Sequence, residues 1–146
     1  VNIHKLLEDC LTILRYEFKN RIDIIRDFKA NETLSVRGNE SKLYQVFNNL
    51  LANAIQAIEG KGEIRISTGR LKHKVWIEIT DTGAGIPEEN LNKIFDPFFT
   101  TKDPGKGTGL GLSIVFNIIE EHKGEIQYQS EVGSGTSVNV VLNAFN

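Results

Sequence analysis

The sequence predicts an α+β protein, a two-layer α/β sandwich built on a mixed, largely antiparallel sheet. Three observations carry that expectation. Strand-like segments come in adjacent pairs rather than alternating singly with helices, which argues against a doubly wound parallel sheet. Long stretches between them carry apolar residues at helical spacing. Turn-forming residues separate the members of each strand pair. With 146 residues, the chain is expected to form one domain over 1–146, since domains run to roughly 100–200 residues.

The elements follow in order. Ile3, Leu6, Leu7, Cys10, Leu11, Leu14 and Phe18 recur at helical spacing and define an amphipathic first helix. Ile22, Ile24 and Leu34, Val36 mark two short strands around the turn-like Ala30-Asn31-Glu32. A second helix runs from about Asn39, a good N-cap, to about Gly60, a good stop. Its apolar stripe is Leu43, Val46, Phe47, Leu50, Leu51, Ala54 and Ile58. Ile64 and Ile66, then Val75, Ile77 and Ile79, alternate with polar neighbours and predict a hairpin across Gly69–His73. Pro87 with Glu88 and Glu89 opens a short third helix ending near Phe95. The stretch from Asp96 to Thr108 reads as loop, and a last helix runs from Gly109 to a stop at Gly124. Two final strands flank Gly133-Ser134-Gly135.

Composition bounds the function classes. An apolar fraction of 40% and a charged fraction of 25% are those of an ordinary globular protein. A net charge of −2 points to neither a nucleic-acid nor a membrane surface. Cys10 stands alone on an apolar helical stripe and is expected to be a buried thiol, in keeping with a reducing, cytoplasmic setting. No apolar run reaches membrane-spanning length. Met is absent even at position 1, so the chain is expected to be an excised piece of a longer protein.

The most informative stretch is Gly105-Lys106-Gly107-Thr108-Gly109-Leu110-Gly111-Leu112, which leads into an apolar helix. Glycine at every second position strips Cβ atoms from a loop, so backbone N–H groups can converge on an anion at a helix N-terminus. It is not a P-loop, because Gly60-Lys61 and Gly105-Lys106 are each followed by glycine rather than Ser or Thr. Nor is it a dinucleotide fingerprint, because Leu110 stands where the third glycine belongs. Zinc spacings, a nucleophile elbow and an EF-hand loop are missing as well.

Asn49 and Asn53 lie one turn apart on a shoulder of the second helix, with Gln45 and Gln56 further out. Amide oxygens at that spacing suit Mg²⁺, which takes few protein ligands and keeps water and phosphate. Capping of neighbouring backbone is the alternative reading. Strand alternation sends Asp81 toward the buried side occupied by Val75, Ile77 and Ile79, and an inward carboxylate needs a partner. The exocyclic amine of adenine would serve, with Gly83 and Gly85 letting the ring approach the backbone; a simple Asp-x-Gly turn is the competing explanation. Phe95, Phe98 and Phe99 are by themselves more often a core plug than a binding device, and here would anchor the glycine-rich loop; Lys102 and Lys106 on it could reach phosphates, with plain solvated lysines as the alternative. His4, His73 and His122 have no neighbours that suggest metal binding or catalysis, and structural or solvated roles are expected.

Taken together these residues match a family. The run from Gln45 to Ala54 resembles the N box of sensor histidine kinases, and Asp81-Thr82-Gly83-Ala84-Gly85-Ile86-Pro87 resembles their G1 box. Ile94-Phe95-Asp96-Pro97-Phe98-Phe99 is similar to the F box, Gly107-Thr108-Gly109-Leu110-Gly111-Leu112 to the G2 box, and Gly133-Ser134-Gly135-Thr136 to the last glycine motif. The lid variant is most similar to the nitrogen-regulatory type.

The resemblance implies the ATP-binding catalytic domain of the GHKL superfamily, with helices on one face of the sheet, as the C-terminal piece of a longer kinase. It implies ATP and Mg²⁺ as cofactors, ADP as product, Asn53 as main metal ligand and Asn49 as its support. Asp81 would read adenine, and Gly83, Gly85, Ile86 and Phe95 would contact the nucleotide. The stretch from Asp96 to Thr108 would form the ATP lid, with Lys102, Lys106, Gly107, Thr108, Gly109, Leu110 and Gly111 at the phosphates. Thr136 would help at the adenine end through water. Asn49, Asn53 and Lys102 are the expected catalytic residues. The implied partners are a phosphoacceptor histidine domain and a response regulator, without nucleic acid or direct membrane contact. The fragment is expected to be monomeric and the parent kinase a homodimer.

Two departures stand out. Gln56 replaces a basic residue common three positions after the metal-binding asparagine, which shifts phosphate charge toward Lys102 and Lys106. His4-Lys5-Leu6 lacks the pattern of a phosphoacceptor helix, so the chain is not expected to phosphorylate itself at the usual site. Position 49 carries no Glu, which disfavours the ATP-hydrolysing members. An anti-sigma-factor-type serine kinase and a non-catalytic nucleotide-binding module are the competing functions.

Overall fold

A computed structural model describes residues 1–28, 34–91, 93–94 and 111–145. The first helix, α1 (Ile3–Phe18), buries Ile3, Leu6, Leu7, Cys10, Leu11 and Leu14 along one stripe. Asn2 caps it by accepting from Lys5 N. The second, α2 (Glu40–Ala57), has the expected Asn39 N-cap, which accepts from Lys42 N, and buries Leu43, Val46, Phe47, Leu50, Leu51, Ala54 and Ile55. It ends at Ile58, two residues short of Gly60. Cys10 approaches the Tyr44 carbonyl and Arg21 the Ile55 carbonyl, each separated by 34 residues, so the two helices run side by side in the same direction.

Among the described residues five strands form one sheet: β1 (Ile22–Asp27), β2 (Gly62–Leu71), β3 (Lys74–Asp81), β4 (Glu125–Glu131) and β5 (Gly135–Asn143), in the order β1-β2-β3-β5-β4. Only β1 and β2 are parallel, and α2 is the crossover that a parallel pair requires. The rest is antiparallel, as expected of a mixed sheet.

On the inner face Ile64, Ile66, Val75, Ile77, Ile79, Val138, Val140 and Leu142 join the helices in one core. Trp76, Glu78, Thr80, Ser137 and Asn139 alternate onto the other, partly exposed face. This is the expected two-layer arrangement.

The first strand pair differs from expectation. Ile22 and Ile24 pair with Gly62 and Ile64 rather than with Leu34 and Val36. Ser35 and Val36 make only single bridges, to Asn2 and Ala144. The alternation of Leu34 and Val36 reflects their burial beside the start of α1 and the end of β5, not membership of a ladder.

Two further helices follow among the described residues. The one-turn α3 (Glu88–Leu91) is shorter than predicted, and its expected end at Phe95 lies outside the described residues. The last helix, α4 (Gly111–Glu121), stops through Lys123 at φ 55° and a Gly124 N–H bond to the Ile119 carbonyl of 2.9 Å. Gly124 itself is required by space, because a Cβ there would lie 2.5 Å from the Val141 carbonyl oxygen.

Candidate nucleotide site

Strand register places one polar row at the end of the apolar inner face. Ile64 pairs with Asp81, Asp81 with Thr136, and Thr136 with Ser130. The preceding inner row is Ile66, Ile79, Val138 and Tyr128. The sheet therefore changes from apolar to polar within one step at the end of β3.

Asp81 is 6% exposed, and its Oδ1 accepts the Gly83 N–H at 2.8 Å. This is the Asp-x-Gly turn weighed above, formed by a carboxylate that is also buried. Burial pushes its pKa up, while the backbone N–H groups of Gly83 and Thr136 hold against the rise. Burial, and behind it the Asp81 carboxylate, pushes the Tyr128 phenol up as well.

The loop after Asp81 is pinned on both sides. A Cβ on Gly83 would lie 2.6 Å from the Ala57 carbonyl oxygen, and Ala84 N–H donates to that oxygen at 3.1 Å. A Cβ on Gly85, at φ 81°, would lie 2.2 Å from the Glu131 carbonyl oxygen. These glycines were expected to make room for an adenine ring. The Cβ direction at each is filled by protein, so the close fit of α2 and β4 already requires glycine at both positions.

The Ala57 contact fixes the second helix relative to this row. Asn49, Asn53 and Ala57 recur every four residues, so one stripe of α2 leads from both amides to Gly83 over about 12 Å. At the far end Asn49 Nδ2 donates to the Gly111 carbonyl at 3.4 Å, at the start of α4. An asparagine bonded through its nitrogen keeps its amide oxygen as an acceptor. Amide oxygens are hard, neutral donors of the kind Mg²⁺ accepts beside phosphate and water. No cluster of three His, Cys, Asp or Glu side chains able to hold a metal occurs among the described residues.

The structure thus brings together Asn49, Asn53, Asp81, Gly83, Gly85, Ile86, Gly111 and Thr136. Phe95, Lys102, Lys106, Gly107, Thr108, Gly109 and Leu110 lie outside the described residues. Sequence reasoning missed Ser130, whose Oγ accepts from Ile86 N at 2.7 Å and meets Thr136 Oγ1 at 2.8 Å. The signal was present: Ile126, Tyr128 and Ser130 share the inward phase of β4. His4 and His122 take structural roles. His4 bonds Thr68 and stacks on Phe28, and His122 joins Asn39 N to the Ile118 carbonyl.

Comparison with known proteins places this geometry. Residues 38–145 match the family described as histidine kinase-, DNA gyrase B-, and HSP90-like ATPase. Sporulation kinase C of Bacillus subtilis (strain 168) is 38% identical over 141 residues, covering 96% of this chain and 32% of that protein. The catalytic domain of histidine kinase ThkA, in a nucleotide-free form, superposes with a TM-score of 0.86 at 34% identity, over 98% of this chain and 93% of that one. Histidine kinase ThkA in complex with response regulator protein TrrA gives a TM-score of 0.83 at 29% identity, over 99% of this chain and 41% of that one. The chain spans about a quarter to a third of the length of the curated relatives it matches.

Proposed function

This chain belongs to the histidine kinase-, DNA gyrase B-, and HSP90-like ATPase family, and from that premise we propose that it binds Mg-ATP and passes the γ-phosphoryl group to a histidine. That histidine lies on a separate dimerisation and phosphoacceptor domain of a sensor histidine kinase. The observation that carries the reading is the continuous path from the Asn49–Asn53 stripe through Ala57 and Gly83 to the Asp81–Thr136 row. It supports the reading because two amide side chains lie toward one end and a buried carboxylate at the other.

Each residue then has a task. The Asp81 carboxylate accepts from the exocyclic amine of adenine, an interaction strengthened by burial. Thr136 lies beside it on the same row and completes the base end. Asn53 and Asn49 would hold Mg²⁺, which would supply neutralisation of phosphate charge. Asn49 also ties α2 to the start of α4. Lys102 and Lys106 supply cationic donors from the lid. Phosphoryl transfer asks a protein chiefly for positioning and electrostatics, and these residues offer both.

The downstream acceptor is an aspartate of a response regulator, and the parent acts as a homodimer in the cytoplasm. No helix among the described residues is long and apolar enough to cross a membrane. The test is transfer from γ-labelled ATP to a supplied histidine-bearing helical domain. Acid-labile phosphohistidine is the expected product. Acid-stable phosphoserine on a protein partner would favour the serine-kinase alternative, and ATP binding without transfer would favour the regulatory module.

A further inference from the structure

The inner polar row does not stop at Thr136, and its last member is the most heavily bonded. Ser130 Oγ accepts from Ile86 N at 2.7 Å, lies 2.8 Å from Thr136 Oγ1 and donates to the Gly135 carbonyl at 3.1 Å. We propose that Ser130 is a positioning residue for base selection, holding the Thr136 hydroxyl as a hydrogen-bond acceptor and Ile86 in place. The inference rests on the nucleotide reading above and deepens it.

Proton accounting fixes the direction of the relay. A hydroxyl has one proton and two lone pairs. Ile86 N–H takes one lone pair of Ser130, and the Gly135 carbonyl takes its proton. The Thr136 hydroxyl must then donate to the remaining lone pair, since no other assignment satisfies all three contacts. Its proton spent, Thr136 Oγ1 offers only lone pairs. The Asp81 carboxylate next to it on the row, when ionised, also only accepts. Such a row complements a purine that presents an exocyclic amine, and opposes one that presents a carbonyl at the same position.

The same oxygen anchors the loop. Asp81 Oδ1 holds Gly83 N, Gly133 N–H donates to the Ala84 carbonyl at 2.9 Å, and Ser130 holds Ile86 N. The segment over the row is therefore tied at its start, middle and end. Removing the Ser130 hydroxyl frees its end and lets Thr136 turn its proton toward a ligand.

The test titrates ATP and inosine triphosphate, which carries a carbonyl where ATP has its amine, into the chain and its variants. Wild type is expected to prefer ATP. Ser130→Ala should bind ATP about tenfold more weakly, the scale of one or two hydrogen bonds, and should lose much of the preference. Ser130→Thr, which keeps the hydroxyl, should restore both. In a Thr136→Val background, Ser130→Ala should cost less than it does alone, because part of its effect passes through Thr136.

A Ser130→Ala chain with lowered thermal stability but unchanged affinity and preference overturns the inference, since a purely structural serine behaves that way. If Ser130→Ala does not fold, Thr136→Val serves instead, and an unchanged ATP preference there overturns it equally. A wild-type chain that binds neither triphosphate overturns the nucleotide reading itself, and this inference with it.

Discussion

Asp81 and Gly83 form a turn in which a carboxylate only 6% exposed accepts the backbone N–H two residues on, at 2.8 Å. Burial raises the Asp81 pKa above its ordinary value. A group of this kind contributes stability fully below its unfolded pKa, about 3.9 for aspartate. That contribution is lost as pH rises through the folded value. The nucleotide-free protein should therefore lose stability upward from about pH 4 by an amount that Asp81→Asn abolishes, since Asn keeps an acceptor for Gly83. Thermal unfolding of both proteins across pH 4 to 8 checks this; parallel curves would contradict it.

Asn53 lies between Asn49 and Ala57 on the stripe that reaches Gly83. Asn53→Ala should leave nucleotide binding without Mg²⁺ nearly unchanged and remove most of the gain that Mg²⁺ provides. Titrations with Mg²⁺ and with chelator separate the two effects.

The end of α2 depends on a residue outside it. No basic side chain lies in its last turn. Arg21 supplies one, donating to the carbonyls of Ile58 at 2.9 Å, Gly60 at 3.2 Å and Ile55 at 3.4 Å. Several carbonyls at a helix C-terminus lack helical partners and carry partial negative charge. Arg21→Ala should destabilise the protein by about 1–2 kcal/mol. Arg21→Lys should recover little, because one ammonium cannot span three carbonyls. Chemical denaturation measures both.

Lys123 ends α4 in a left-handed conformation, φ 55°, that glycine adopts without cost. Lys123→Gly should stabilise the protein by about 0.5–1 kcal/mol. A lowered denaturation midpoint would mean that its side chain contributes more than its backbone costs.

The helical layer was legible in the sequence because caps and stripes are local signals. Asn39 caps α2, and the buried faces of α1 and α2 follow their apolar periodicity closely. The pairing of β1 was not legible, because Ile22 and Ile24 find partners about forty residues away at Gly62 and Ile64, across a helix. A turn-like Ala30-Asn31-Glu32 suggested a local partner, and nothing nearby argued for the distant one.

At the site, alternation correctly sent Asp81 inward. The same alternation pointed at Ser130, but a serine in a polar strand attracts no notice until Ile86 is seen to bond it. Gly83 and Gly85 were legible as necessary, but their packing against the backbones of α2 and β4 was not.

The central claim is that the row beginning at Asp81 receives the base of ATP. Calorimetric titration of the chain with ATP, with and without Mg²⁺ and beside Asp81→Asn, tests it most directly. The account predicts binding in the micromolar range, about −8 kcal/mol, strengthened by Mg²⁺ and abolished by Asp81→Asn in either condition. A folded chain that takes up no ATP, or an Asp81→Asn variant that binds like wild type, would contradict it.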